Sequence, residues 1–288
     1  MQRFNRLFKV RHYELDALGY VNDINLVRYM QEAAIEASTD LGFSLDWYNA
    51  HGVGWVVRRL AVRHDTPAVY GDEIVAATWL SGLRGVRSIR EYDLTRTRDG
   101  ARVARGRAEW VYMDFQTGEP TRIPDAWADA FDLKEKPEEL GIRLTAAHAT
   151  VGALRYTSFR RVQFNELDAV GHVNHAVYLQ WIAQAFRDAL DTRAEALEPL
   201  LHGSGRVVQS GHEIQYFAAA VDREPIEILS WLCETSPEGA AWTHEIYHAD
   251  TRKLMARDYA RMIVVDNNHR PIASHPLLLE AILSGPEL

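Results

Sequence analysis

Apolar residues recur at three-to-four spacing over two stretches of the chain. In the first, roughly Asn25–Leu41, they are Leu26, Met30, Ala33 and Ala37. In the second, roughly Val177–Ala196, they are Tyr178, Ile182, Ala185 and Ala189. This period predicts two helices, each with an apolar stripe. The second also carries Val177, Leu179, Trp181 and Phe186, so it is apolar on most faces and is expected to be largely buried. A short strand is expected before each helix, roughly Leu7–Tyr13 and Phe159–Phe164. Four strand-like runs follow each helix. After the first they lie near Val53–Arg63, Glu73–Leu80, Ser88–Arg98 and Arg102–Asp114. After the second they lie near Arg206–Tyr216, Ile226–Cys233, Trp242–His248 and Lys253–Asp266. Aromatic and β-branched residues with partial alternation support the strands. Arg98-Asp99-Gly100 reads as a hairpin turn, because Asp-Gly tolerates the positive φ angles of tight turns.

The two sets of elements are copies of one unit. Residues 14–22 read ELDALGYVN and residues 166–174 read ELDAVGHVN, identical at seven of nine positions. The same offset of 152 pairs Trp79-Leu80 with Trp231-Leu232, Ala104-Arg105 with Ala256-Arg257, Asp114 with Asp266 and Pro124 with Pro276. One offset held over such a distance is the mark of a duplication. The expected fold class is therefore α+β: two repeats, each a curved antiparallel sheet wrapped around a central helix. The repeats are bounded at residues 1–123 and 154–288. Between them, residues 124–153 read as a surface linker, with a short helical pattern (AWADAF) and then the charged KEKPEEL. Each unit has a long open sheet edge, which two copies in one chain can satisfy internally, or which a homodimer can cover.

Composition narrows the class. Apolar residues make up 47% and charged residues 25% of the 288 residues, as in an ordinary globular protein. Net charge is −8, with 20 basic against 22 acidic residues up to position 150 and 12 against 18 beyond it. Neither part has the basic excess of a nucleic-acid binder. No apolar run reaches the ~18–20 residues that cross a bilayer. The opening MQRFNRLFKVRHYELD lacks the apolar core of a secretory signal. With Cys233 the lone cysteine, no intrachain disulfide forms, and a reducing, cytoplasmic setting is expected.

The residues with chemical potential sit at one place in the repeat, the turn between first strand and helix. Asp16 and Asp168 stand just before helix N-termini, where unpaired N–H groups and partial positive charge gather. Such donors stabilise an oxyanion, and a neighbouring carboxylate activates water or attacks directly. Gly19 and Gly171 allow substrate to approach the backbone. The plain alternative is that all four are turn and capping residues. Asn22 and Asn174 read first as helix caps. His172 and His175 are three apart, but no third ligand stands nearby, so no metal is assigned. No cofactor is expected. Cys233 lies in a strand opposite Ser81 and reads as a buried structural thiol. Trp55, Trp79, Trp181 and Trp231 read as core, with an apolar acyl tunnel as the alternative. Arg84, Arg87, Arg90, Arg96, Arg98, Arg102, Arg105 and Arg107 read as a solvated strand face, or else as a docking patch for a phosphate or an acidic carrier protein.

The order D-x-x-G-x-V-N followed by an aromatic-bearing helix resembles the hotdog-fold thioesterases, both the 4-hydroxybenzoyl-CoA type and the acyl-acyl carrier protein (acyl-ACP) type. LDAVGHVNHAVYLQW is especially similar to the acyl-ACP motif, through Asp168, His172, Val173, Asn174, Tyr178 and Trp181. The resemblance implies a double hotdog fold and a thioester hydrolase that releases a fatty acid from acyl-ACP or acyl-CoA. It implies Asp168 as general base or nucleophile, His172 positioning water or tuning Asp168, and backbone N–H groups near Asn174 and His175, with Gly171, as the oxyanion site. Asp16, with Gly19 and Asn22, marks a second site or a binding half. The chain departs from the plant-type pattern at Val170, where the family has Asn, and the first repeat has Leu18 and Tyr20 in place of Val170 and His172. A hotdog dehydratase or hydratase and a non-catalytic acyl-thioester binder are the competing readings.

Overall fold

The computed structural model describes residues 3–125, 127, 155–192, 206–236, 239–266 and 269–272. The chain divides into two compact units, residues 1–141 and 142–288. In the first, β1 (Phe4–Lys9) leads through a 3-10 turn (His12–Glu14) into α1 (Asp23–Asp40) and α2 (Leu45–His51). Strands β2 (Val53–His64), β3 (Glu73–Arg84), β4 (Arg87–Arg96), β5 (Arg102–Asp114) and the two-residue β6 (Glu119–Pro120) follow. Their order in the sheet is β1-β3-β4-β5-β2, all antiparallel, with β6 on β5. In the second unit β7 (Arg155–Arg161), a 3-10 turn (Phe164–Glu166) and α3 (His175–Asp191) precede β8 (Arg206–Tyr216), β9 (Pro225–Ser236), β10 (Gly239–His248), β11 (Leu254–Val265) and β12 (Pro271–Ile272). Their order is β7-β9-β10-β11-β8, with β12 on β11.

The two sheets share one register at the offset of 152. Phe4 faces Thr78 as Tyr156 faces Ser230, Tyr92 faces Gly106 as His244 faces Asp258, and Leu60 faces Ala108 as His212 faces Ala260. The irregularities repeat as well. One extra residue bulges from β3 at Ser81 and from β9 at Cys233, and another from β2 at Arg58 and from β8 at Ser210. Since a bulge re-aims side chains and adds twist, matching bulges keep matching residues on the helix-facing side.

Each helix lies apolar side down on its sheet. Leu26, Met30, Ala33 and Ala37 of α1 and Tyr178, Ile182, Ala185 and Ala189 of α3 are all buried, as their spacing predicts. Fully burying a side chain the size of Leu26, Met30 or Ile182 contributes about 1.5–3 kcal/mol. Gly106 lies beneath Met30, where a Cβ would stand 2.7 Å from Sδ. From Phe186 of α3 the core continues through Trp242, Leu232 and Met262.

The element boundaries depart from expectation at the first strand of each unit. Each ends before the 3-10 turn, because the carboxylates of Glu14 and Glu166 capture the backbone N–H groups of Arg11 and Gln163 and bend the chain. Helix α2 was not expected from the pattern. Ser44 caps it by accepting from Trp47 N (3.2 Å), and Gly52 closes it in the left-handed region at φ 64°. Phe43, Tyr48, Trp55, Tyr112 and Trp127 pack in one aromatic cluster beside it. Residues 193–196 of the expected second helix, and the linker from residue 128 to 153, lie outside the described residues. Among the described residues, no helix is long and apolar enough to cross a membrane.

Candidate active site

The two helix-entry turns share one pattern of backbone hydrogen bonds. Asp16 N donates to Tyr20 O (2.7 Å) and Asp168 N to His172 O (2.8 Å). Gly19 N and Gly171 N close the turns onto Asp16 O and Asp168 O at 3.1 and 3.0 Å, with φ of 82° and 83°. That left-handed conformation is why glycine stands there. Bridges Leu15–Val21 and Leu167–Val173 seal the loops. Asn22 and Asn174 then cap the helices, accepting from Ile24 N (3.1 Å) and Ala176 N (3.0 Å).

The carboxylates also bind their own turns. Asp16 Oδ1 accepts from Leu18 N (2.8 Å) and Tyr20 N (3.1 Å), and Asp168 Oδ1 accepts from Val170 N (2.9 Å). The difference between them is environment: Asp16 is exposed, whereas Asp168 is half-buried beside half-buried His172 and His175. Several backbone groups are committed within the turn. Gly171 N serves Asp168, Asn174 N donates to Glu166 O (3.0 Å), Asn22 N to Glu14 O (2.9 Å), and Val177 N to Asn174 O (2.9 Å). The glycines and asparagines therefore hold the turn and the cap, and His175 opens α3 directly after them.

Around that end the second unit is aromatic. Tyr216 Oη donates to His175 O (2.9 Å), and Tyr178 Oη accepts from Ala220 N (2.8 Å). Burial pushes both hydroxyls well above the ordinary tyrosine range and holds His175 down at about 4, so the imidazole is neutral at pH 7.

Residues 1–131 match the family described as acyl-ACP thioesterase N-terminal domain, and residues 162–283 match the thioesterase-like superfamily. Each half of the chain is thus similar to a thioesterase family. Among curated relatives, a chloroplastic acyl-acyl-carrier-protein hydrolase of Cuphea viscosissima is 25% identical over 198 residues, covering 63% of this chain and 47% of that protein. The long-chain acyl-CoA thioesterase FadM of Escherichia coli is 28% identical over 132 residues, 46% of this chain and 95% of that protein. The chain spans about half the length of the plant relatives it matches. In fold it is similar to an acyl-ACP thioesterase from Bacteroides thetaiotaomicron, with a TM-score of 0.71 at 16% identity, covering 90% of this chain and 97% of that one. A 12:0-ACP thioesterase from Umbellularia californica gives 0.69 at 19% identity, covering 91% and 94%. These likenesses establish the double hotdog fold.

Within this tandem hotdog protein the arginine stretch proves to be a lattice of ion pairs. Arg87 pairs with Glu109, Arg96 with Asp72 and Asp99, Arg98 with Asp72, Arg102 with Asp93, Arg105 with Asp65, and Arg107 with Glu91. Arg90 is buried and donates to Thr78 Oγ1 at 3.3 Å. These guanidiniums have carboxylate partners on neighbouring strands and connecting turns, which sequence order alone hides. Cys233 is buried, its thiol donating to Ala241 O (3.2 Å), and burial raises its pKa. Trp181 is buried, and Trp55, Trp79 and Trp231 are half-buried.

Sequence reasoning missed the residues that tie the turns to the helices. Glu14 Oε2 accepts from Arg11 N (2.7 Å) and Tyr29 Oη (2.7 Å). Glu166 Oε2 accepts from Gln163 N (2.9 Å), and its Oε1 accepts from Trp181 Nε1 (2.9 Å) and from the Arg160 guanidinium. Their identity at the head of the repeated motif was the available signal, overshadowed by the aspartate that follows.

Proposed function

We propose that the chain is a thioester hydrolase that releases a free fatty acid from acyl-ACP or acyl-CoA, with its chemistry in the second unit. The observation that carries the reading is the half-buried Asp168, held by its own turn just ahead of the α3 N-terminus, in a chain whose two halves both match thioesterase families. Asp168 takes a proton from water as the water oxygen attacks the thioester carbonyl carbon. The developing oxyanion lies against the N-terminal end of α3, where the helix dipole favours negative charge. The tetrahedral intermediate then collapses: the C–S bond breaks, the sulfur leaves with a proton, and the carboxylic acid remains. His172, next to Asp168, positions the water or the thioester. Asp16, in the open, serves a binding half. The cytoplasmic setting rests on the single, buried, unbridged thiol.

Thiol release from a panel of acyl-ACP and acyl-CoA substrates tests the reading. Turnover that depends on Asp168 supports it. Water addition to an enoyl thioester, or binding without turnover, replaces it with a hydratase or a silent acyl binder.

A further inference from the structure

We propose that Glu166 is a positioning residue for this reaction, fixing where Asp168 stands relative to the first turn of α3; the inference rests on Asp168 being the reacting carboxylate. Several segments converge on Glu166. Its carboxylate collects the Gln163 N–H just beyond β7, the Arg160 guanidinium from β7, and the indole N–H of Trp181 from inside α3. Its carbonyl collects the N–H of the cap residue Asn174. Arg160 also lies over the Trp181 ring, 4.5 Å from its centroid, so cation, indole and carboxylate form one closed set.

Charge and donor count explain why a glutamate is required. A carboxylate accepts on both oxygens, and here both are used by donors that cannot accept. A glutamine would keep one oxygen and turn its NH2 toward a donor on the other side. The backbone of Asp168 follows Glu166 by two residues, so a rearranged Glu166 moves the Asp168 turn against the helix end. In the first unit Glu14 makes the corresponding bonds with Arg11 N and Tyr29 Oη, with Phe8 in the place of Arg160, and its carbonyl collects Asn22 N and Asn25 Nδ2 (3.0 Å). That copy gives a control with the same local architecture and an exposed aspartate.

The test compares Glu166→Gln, Trp181→Phe and Glu14→Gln in the full chain, with Asp168→Asn alongside, reading kcat, KM, the kcat–pH profile and the unfolding midpoint. A displacement of about 1 Å at a reacting group costs on the order of 100-fold. Glu166→Gln is expected to lower kcat by roughly 10- to 100-fold with KM within about twofold, and to shift the acidic limb of the pH profile. Trp181→Phe is expected to lower kcat several-fold in the same direction. Glu14→Gln is expected to destabilise by a similar amount and to leave kcat unchanged. If Asp168→Asn abolishes turnover while Glu166→Gln and Trp181→Phe keep wild-type kcat and an unshifted pH profile, the positioning role is overturned. If kcat falls equally in Glu14→Gln and Glu166→Gln, in step with the folded fraction, the role is structural only and the proposal fails. Should Glu166→Gln not fold, Trp181→Phe carries the same readouts. Asp168→Asn with full turnover would instead overturn the reading of Asp168 itself.

Discussion

The two units share strand order, register, bulges and helix-entry turn, yet the interiors beneath their helices differ in kind. Leu60, Thr78, Tyr92 and Gly106 of the first unit become His212, Ser230, His244 and Asp258 in the second. All four of the latter are buried: His212 Nδ1 meets Asp258 Oδ2 at 3.0 Å, and His244 Nδ1 meets Ser230 Oγ at 2.8 Å. The first unit instead lets Met30 settle into the space over Gly106. A backbone can thus be copied faithfully while its core changes from packing to polar pairing. What the register fixes is the position of each side chain, and the chemistry placed there is left open.

The largest test of this contrast is at the turns. Asp168→Asn is expected to cut turnover by about 10²–10⁴-fold, and Asp16→Asn by less than about twofold, measured as thiol release. Undiminished turnover in Asp168→Asn with Asp16 intact would move the chemistry to the first unit. Next is pH. Burial holds His244 at about 4, against ~6.5 for an ordinary imidazole, with Asp258 raising it and His212 lowering it. The folded state therefore refuses a proton that the unfolded chain accepts. The stabilisation is present above ~6.5 and is lost as pH falls toward 4, about 3 kcal/mol in all. His244→Tyr, which installs the residue of the first unit, should flatten that part of the decline in urea midpoints between pH 7 and pH 4.5. An unchanged slope would show that His244 contributes nothing to it.

Smaller effects sharpen the comparison. Gly106→Ala should destabilise by roughly 1–3 kcal/mol, because Met30 must shift, and the loss should be absent in a Gly106→Ala, Met30→Ala pair relative to Met30→Ala alone. Calorimetry on the three variants decides it. Smallest, Asn22→Ala and Asn174→Ala should each cost about 1 kcal/mol as lost caps. Only the second should also slow turnover, since only it loosens the α3 end.

Much of this was legible in the chain. The period of three to four residues located both helices, and the fixed offset disclosed the duplication. Strand β5 matched its expected bounds, Arg102–Asp114. The turn aspartates and capping asparagines were visible because local chemistry dictates them. Glu14 and Glu166 were not, since their partners Tyr29 and Trp181 lie a helix turn or more away and become neighbours only after folding. The arginine lattice was hidden for the same reason: Arg107 finds Glu91 across strands. Helix α2 was missed although Ser44 and Gly52 bracket it, because seven residues offer too little periodicity to register.

The bulge at Cys233 has a practical consequence. The protein's sole sulfhydryl is packed inside the second unit, and the first unit holds Ser81 at the matching point. An alkylating reagent can reach that sulfur only when the second sheet opens, so its labelling rate is a clock for one half of a duplicated molecule. The same seclusion keeps the protein's own background low when a disulfide dye counts released thiol.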